Sequence, residues 1–250
     1  MTCDIKKMGK YNLGFMSDEA IFEHVKNTVL RYRIDISLRD FNQNIIDPIK
    51  LSFDAKVYGK TMKEVIETEC LRQIDKSNQN HIGYFHQNIF KYADGWDVPN
   101  EGFDVVNEGK HLFAELKNKH NTMNSRSAHA VYMFMQNKLL HDDKATCMLV
   151  EVIAKRSQNV KWTCEGYSHE RIRRVSIDKF YEIVFGDKEA FFKLCWALPF
   201  ILDDVLSEMK LGRIQNAVYE ELETYSHDLL KSLYLLAFKT YEGFENIEEK

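Results

Sequence analysis

Between Phe103 and Lys117, two short apolar segments flank a polar turn, and charged residues stand inside the apolar pattern. Phe103-Asp104-Val105-Val106 is the first segment, Asn107-Glu108-Gly109-Lys110 has turn chemistry, and His111-Leu112-Phe113-Ala114-Glu115-Leu116-Lys117 is the second. Segments of this kind joined by such a turn predict a β-hairpin. Side chains at i and i+2 of a strand share a face, so Glu115 and Lys117 project together, and the turn folds Asp104 back beside them. Charged groups set among apolar neighbours need a partner or a metal. The hairpin is therefore either a surface hairpin with a salt bridge or the centre of a reactive site.

The surrounding chain fixes what kind of fold holds this hairpin. Asp18 to Arg31 places Ile21, Phe22, Val25, Val29 and Leu30 near one helical face, with Ser17 or Asp18 as N-cap. Thr61 to Asp75 repeats the pattern, and Thr61 with Glu64 forms a capping box. A polar break is expected at Ser77 to Asn80, followed by a helix or its continuation over His81 to Tyr92; Asp94 to Asn100 reads as a loop. Ser127 to Leu140 is helical in spacing, Thr146 to Ala154 is a buried strand, and the chain beyond Ile177 is mainly helical. It ends in an amphipathic helical stretch from Gln215 to about Tyr241, whose stripe of Leu222, Tyr225, Leu229, Leu230, Leu233, Leu236 and Ala237 reads as core or dimer packing. The result is an α/β core with helical additions, expected as one unit over residues 1–250 because only three prolines and eleven glycines punctuate it.

Several classes are excluded or disfavoured. Met1 to Lys10 has no apolar run and does not read as a signal peptide. No window reaches the roughly 18 apolar residues of a membrane span; Phe191 to Leu202 is too short and holds Lys193 and Pro199. Five scattered cysteines without a CxxC pair suggest reduced thiols in a cytoplasmic protein rather than a zinc site. His81 and His86 lie five apart, which favours core or DNA-facing histidines over metal ligands. The net charge of −4 disfavours a basic coat protein, but residues 201–250 carry −6, leaving +2 on the rest. Within that remainder, Lys155 to Lys179 holds seven Lys/Arg against three Asp/Glu: a phosphate-neutralising stretch or a solvated loop.

The hairpin residues suit one chemistry well. Two carboxylates, Asp104 and Glu115, match Mg²⁺, which keeps several waters and needs few protein ligands, and the Leu116 carbonyl can add another. Such a metal activates water and neutralises charge on a phosphodiester, while a neighbouring lysine stabilises that charge or positions the nucleophile.

Three stretches give this reading a family. They are His81-Ile82-Gly83-Tyr84-Phe85-His86-Gln87 followed by Asp94-Gly95-Trp96; Ala114-Glu115-Leu116-Lys117-Asn118-Lys119-His120-Asn121-Thr122 with Asp104 upstream; and, more loosely, Glu170 to Val175 with Phe180-Tyr181 and Val184-Phe185-Gly186. On these the chain resembles the type II restriction endonucleases of the PD-(D/E)xK nuclease superfamily, in particular the small family that includes cutters of GGNCC-type sites. Phe103 stands where the superfamily signature has a proline. The resemblance implies a restriction-endonuclease-like core, a mixed central sheet flanked by helices, over about residues 60–190. Additional N-terminal helices and a helical C-terminal extension over 191–250 would surround it.

By that resemblance Asp104 and Glu115 bind Mg²⁺, for which Mn²⁺ can substitute, and Lys117 is the catalytic lysine. An accessory acidic or amide side chain would come from the preceding helix, with Gln87, Glu69 and Gln73 as candidates beside a purely structural role for each. Lys119, His120, Asn121 and Thr122, just past the catalytic strand, would touch DNA phosphates or bases, or else cap a loop. Arg171, Arg173 and Arg174 would read guanine edges or clamp phosphates if they are not simply solvated. The implied substrate is double-stranded DNA with a short palindromic site, which calls for a homodimer. A DNA methyltransferase would be a genomic neighbour rather than a bound partner, and no membrane is involved. A repair or junction nuclease, or a catalytically silent DNA-binding protein of the same fold, stands as the alternative.

Overall fold

The computed structural model describes residues 9–120, 123–209, 215–216 and 218–238. In chain order its elements are α1 (Asp18–Arg31), β1 (Asp35–Ile36), α2 (Leu38–Gln43), α3 (Pro48–Val57), α4 (Met62–Asn88), a 3-10 turn (Ile89–Tyr92), β2 (Val105–Asn107), a second 3-10 turn (Glu108–Lys110) and β3 (Leu112–Lys119). They continue with α5 (Ser125–His141), β4 (Thr146–Ile153), β5 (Asn159–Cys164), β6 (Tyr167–Ser176), α6 (Ile177–Phe185), α7 (Ala190–Glu208), β7 (Gln215–Asn216), α8 (Val218–Glu223) and α9 (Leu229–Phe238). The chain divides into two compact units, one of residues 1–30 with 82–210 and the other of residues 31–81 with 211–250.

The first unit is α/β: a five-stranded mixed sheet flanked by helices, in the order β2-β3-β4-β6-β5. Strands β3, β4 and β6 are parallel, and the edge strands β2 and β5 run antiparallel to their neighbours. Alternation gives the sheet two faces. On one, Ala114, Leu116, Met148, Val150 and Val175 pack with Ile21 and Val25 of α1, Ile89 and Phe90 of the 3-10 turn, Phe180 and Tyr181 of α6, and Leu194 and Ile201 of α7. On the other, Phe113, Cys147, Leu149 and Ile172 pack under Tyr132 and Met135 of α5. Helix α1 begins as expected at Ser17, whose hydroxyl accepts from the Ala20 amide at 3.2 Å.

The second unit has its own core of Ile36, Phe41, Leu51, Ile66, Cys70, Val218, Leu222 and Leu233, with β1 and β7 paired in parallel. The capping box that starts α4 is present: the Thr61 amide donates to Glu64 at 2.8 Å and the Glu64 amide to the Thr61 hydroxyl at 3.3 Å.

Two expectations need correction. No break occurs at Ser77 to Asn80, because α4 runs on through those polar residues; Asn78 spends its amide on the backbone of Arg33, and Gln79 donates to Asp75 one turn back at 2.6 Å, so neither competes with the helix. The stretch from Gln215 is not one helix: it opens as a strand, and α8 and α9 are separate. Asp228 interrupts it by accepting from the Leu230 amide at 2.9 Å, a local bond that starts a new helix. The basic stretch after β4 folds as the β5–β6 hairpin, with β6 inserted beside β4.

Candidate active site

The hairpin forms one to two residues from its expected bounds. Val105 pairs with Ala114 and Val106 with Phe113, which leaves Asp104 in the bend just before β2, beside the paired residues. The Asn107 side chain accepts from the Lys110 amide at 2.9 Å, and His111 closes the turn in the left-handed region at φ 54°. Phe103 anchors the approach to β2 by packing on Phe113 and Phe134, with centroids 5.5 and 4.5 Å away.

These contacts bring the three predicted residues together. Asp104 Oδ2 accepts from the Leu116 amide at 2.7 Å, and Lys117 Nζ donates to Glu115 Oε1 at 2.7 Å. Burial pushes the Asp104 carboxyl above its usual range, and the neighbouring Glu115 charge pushes it further, against the opposing pull of the Leu116 amide and Lys117. Two carboxylates share one ammonium, so with both ionised the site is one positive charge short.

That shortage and the oxygen donors fit a hard divalent cation. Among the described residues no group of three or more His, Cys, Asp and Glu side chains is placed to hold a metal, so any ion here would rely on two carboxylates, backbone and water. A strand residue directs its N–H and C=O to the same edge. The Leu116 amide faces Asp104, so the Leu116 carbonyl lies on that edge too.

One residue that carries much of this face was not anticipated. Glu151 of β4 is in register with Lys117 and wholly buried, at 0% exposure. Its Oε1 accepts from Arg174 Nε at 2.9 Å and, more closely, from the terminal Arg174 nitrogen; His120 Nδ1 lies 3.1 Å from both oxygens. His120 is itself fixed by its amide, which donates to the Ile153 carbonyl at 3.0 Å. The signal was a single carboxylate in an otherwise apolar strand, which demands a buried partner.

The other predicted residues fall in different places. Lys119 ends β3 and is exposed, while Asn121 and Thr122 lie outside the described residues. Strand alternation splits the arginines: Arg174 pairs with Leu149 on the face of Glu115 and Lys117, whereas Arg173 pairs with Met148 on the opposite face, where Arg171 also projects. Arg173 donates to the Asn159 side chain and carbonyl at 2.6 Å each, and Arg171 donates to the Asp143 carbonyl. Gln87 is half-buried one helical turn beyond Gly83, which packs beside Asn118 of β3. Glu69 and Gln73 belong to the second unit, where Glu69 pairs with Arg72 and Gln73 donates to the Phe41 carbonyl at 3.2 Å. His86 lies beside Phe85 in the first unit, and burial lowers its pKa to about 4; His24, whose Nε2 lies 3.0 Å from the Phe85 carbonyl, is likewise lowered to about 4. Among the described residues Cys70, Cys147, Cys164 and Cys195 form no disulfide; the first three are buried and Cys195 is exposed. Among the described residues no helix is long and apolar enough to cross a membrane.

A mixed sheet flanked by helices, with an aspartate and a Glu-x-Lys strand at one hairpin, has the build of a restriction-endonuclease-like nuclease. The model of the Eco47II restriction endonuclease family matches residues 13–207, and the chain belongs to that family of type II restriction endonucleases. It is 30% identical over 209 residues to the type II restriction enzyme Sau96I of Staphylococcus aureus, covering 77% of this chain and 80% of that protein. It is also 30% identical over 225 residues to the type II restriction enzyme Eco47II of Escherichia coli, covering 80% and 90%. Its substrate is accordingly DNA.

Proposed function

We propose that the chain cuts double-stranded DNA at a short palindromic site, of the GGNCC type or a close relative, as the restriction arm of a cytoplasmic restriction–modification system. The observation that carries the chemical part is the pair of carboxylates left with a single ammonium. Asp104, Glu115 and the Leu116 carbonyl would hold Mg²⁺, or Mn²⁺ in its place. When bound, the ion supplies a water of lowered pKa and neutralises charge on the phosphate. Lys117, kept beside Glu115, stabilises negative charge on the phosphoryl oxygens and positions the attacking water. Gln87 is the accessory candidate with support, through its helix turn beside β3.

Lys119 at the end of β3, His120 after it, and Asn121 and Thr122, which follow in the sequence, are assigned to the duplex, with Arg171 and Arg173 as further contacts. A palindrome presents two equivalent strands, so two copies of the chain act together, one site on each strand. A methyltransferase gene beside this one would protect the host site. The test is a digest of unmethylated phage DNA. Mg²⁺ or Mn²⁺ should yield discrete bands and Ca²⁺ binding without efficient cutting. A smear would mean a non-specific nuclease, and binding without cutting in Mg²⁺ a silent DNA-binding protein.

A further inference from the structure

Lys117 stands between two glutamates. Glu115 precedes it by two positions on the same strand and face, and Glu151 is its register partner on β4, where parallel neighbours are about 4.8 Å apart. The ammonium sits on a flexible four-carbon stem and can be drawn to either. Glu151 is the more deeply buried of the two, so an unpaired charge there would attract a cation more strongly than Glu115 does. Yet Lys117 donates to Glu115.

The reason lies on the far side of Glu151. Arg174 and His120 together cover both of its oxygens. Ser176, the next residue along the same row, offers nothing, because its hydroxyl is turned to the Gln158 carbonyl and Asp178. Among the described residues, the cations that contact Glu151 or stand opposite it in register are Arg174, His120 if protonated, and Lys117. We propose that Arg174, aided by His120, is a positioning residue: it occupies Glu151 so that Lys117 stays with Glu115 at the cleavage site. This rests on the reading of Lys117 as a catalytic residue and adds to it what keeps the lysine in place.

The experiment is a suppressor test. Arg174→Met should slow single-turnover cleavage at saturating DNA towards the ~10²-fold loss expected for removing a positioned catalytic group. Glu151→Gln, which removes the competing charge, should cleave near the wild-type rate. The double variant should recover most of what Arg174→Met loses. In metal-free crystals of Arg174→Met, Lys117 Nζ should have turned to Glu151, a readout independent of catalysis. Thermal unfolding of each variant separates these effects from loss of fold. If Arg174→Met does not fold, Arg174→Lys keeps the charge but loses the two-pronged geometry, and its smaller loss should again be reversed by Glu151→Gln.

A double variant as slow as Arg174→Met would overturn the proposal and make Arg174 a direct DNA contact. So would an unimpaired Arg174→Met, or a folded Glu151→Gln that cleaves as slowly as Arg174→Met. A fully active Lys117→Ala would instead remove the underlying reading of the lysine, while the position of Lys117 in the crystals would still report whether Arg174 restrains it.

Discussion

Asp104 and Glu115 share one ammonium between them, whereas Glu151, one strand away on the same face, has a guanidinium and an imidazole to itself. Both sites place carboxylate in a poorly hydrated setting, where charge must be answered. At Glu151 the protein answers it internally, and the group is locked. At the hairpin it stops short, and burial, with the Glu115 charge added to it, pushes the Asp104 carboxyl up. A site left short of positive charge, with backbone and side-chain oxygens on one edge, is suited to a cation from outside. A saturated one serves the structure around it.

The sharpest way to break this comparison is to remove a hairpin carboxylate. Asp104→Ala or Glu115→Ala should lower cleavage on the order of 10³-fold or more, since several kcal/mol of transition-state stabilisation are lost with the metal and each 1.36 kcal/mol is tenfold. Specific DNA binding in Ca²⁺ should remain measurable, and near-normal turnover by either variant would refute the assignment.

Lys117→Ala comes next, with an expected loss of ~10²-fold in single-turnover rate. If saturating DNA restores the rate, the lysine is only a phosphate contact.

A smaller effect separates the two sites by stability and pH. Because the folded Asp104 pKa is raised, this group favours the folded state below its unfolded pKa, and that contribution is lost as pH rises through the folded value. Asp104→Asn keeps an acceptor for the Leu116 amide and removes the charge. It should therefore raise the melting temperature of the metal-free protein at neutral pH and abolish the further rise that Mg²⁺ gives the wild type. The same raised pKa predicts that wild-type cleavage falls on the acid side above the ordinary carboxylate range, as protons compete for the metal ligand. A melting temperature unchanged or lowered in Asp104→Asn would count against an under-compensated site.

The least effect is expected at Arg171 and Arg173, which sit across the sheet from the carboxylates. Alanine at each, tested on cognate and one-base-changed duplexes, distinguishes base reading from phosphate contact. A bidentate base contact is worth about 1–3 kcal/mol of discrimination. Equal losses on all duplexes, with a shallower salt dependence, would leave them as phosphate contacts.

The sequence alone determined whatever is written within a few residues. The period of two that joins Glu115 to Lys117, the Asn107–Lys110 turn, the Thr61–Glu64 capping box and the apolar run of β4 all depend on neighbours along the chain, and all were legible. The basic stretch after β4 was not: its hairpin alternates exposed charge with scattered apolar residues, and a solvated loop has the same composition. Only the tertiary structure decided that β6 inserts beside β4. That register brings Glu151 and Arg174, 23 positions apart, into contact and gathers His120, 54 positions from Arg174. It also sends Arg171 and Arg173 to the other face, although they sit beside Arg174 in the sequence. Adjacent strand residues always point apart, and the pairing of distant strands is fixed by how the whole sheet buries its apolar rows, not by any local stretch of chain.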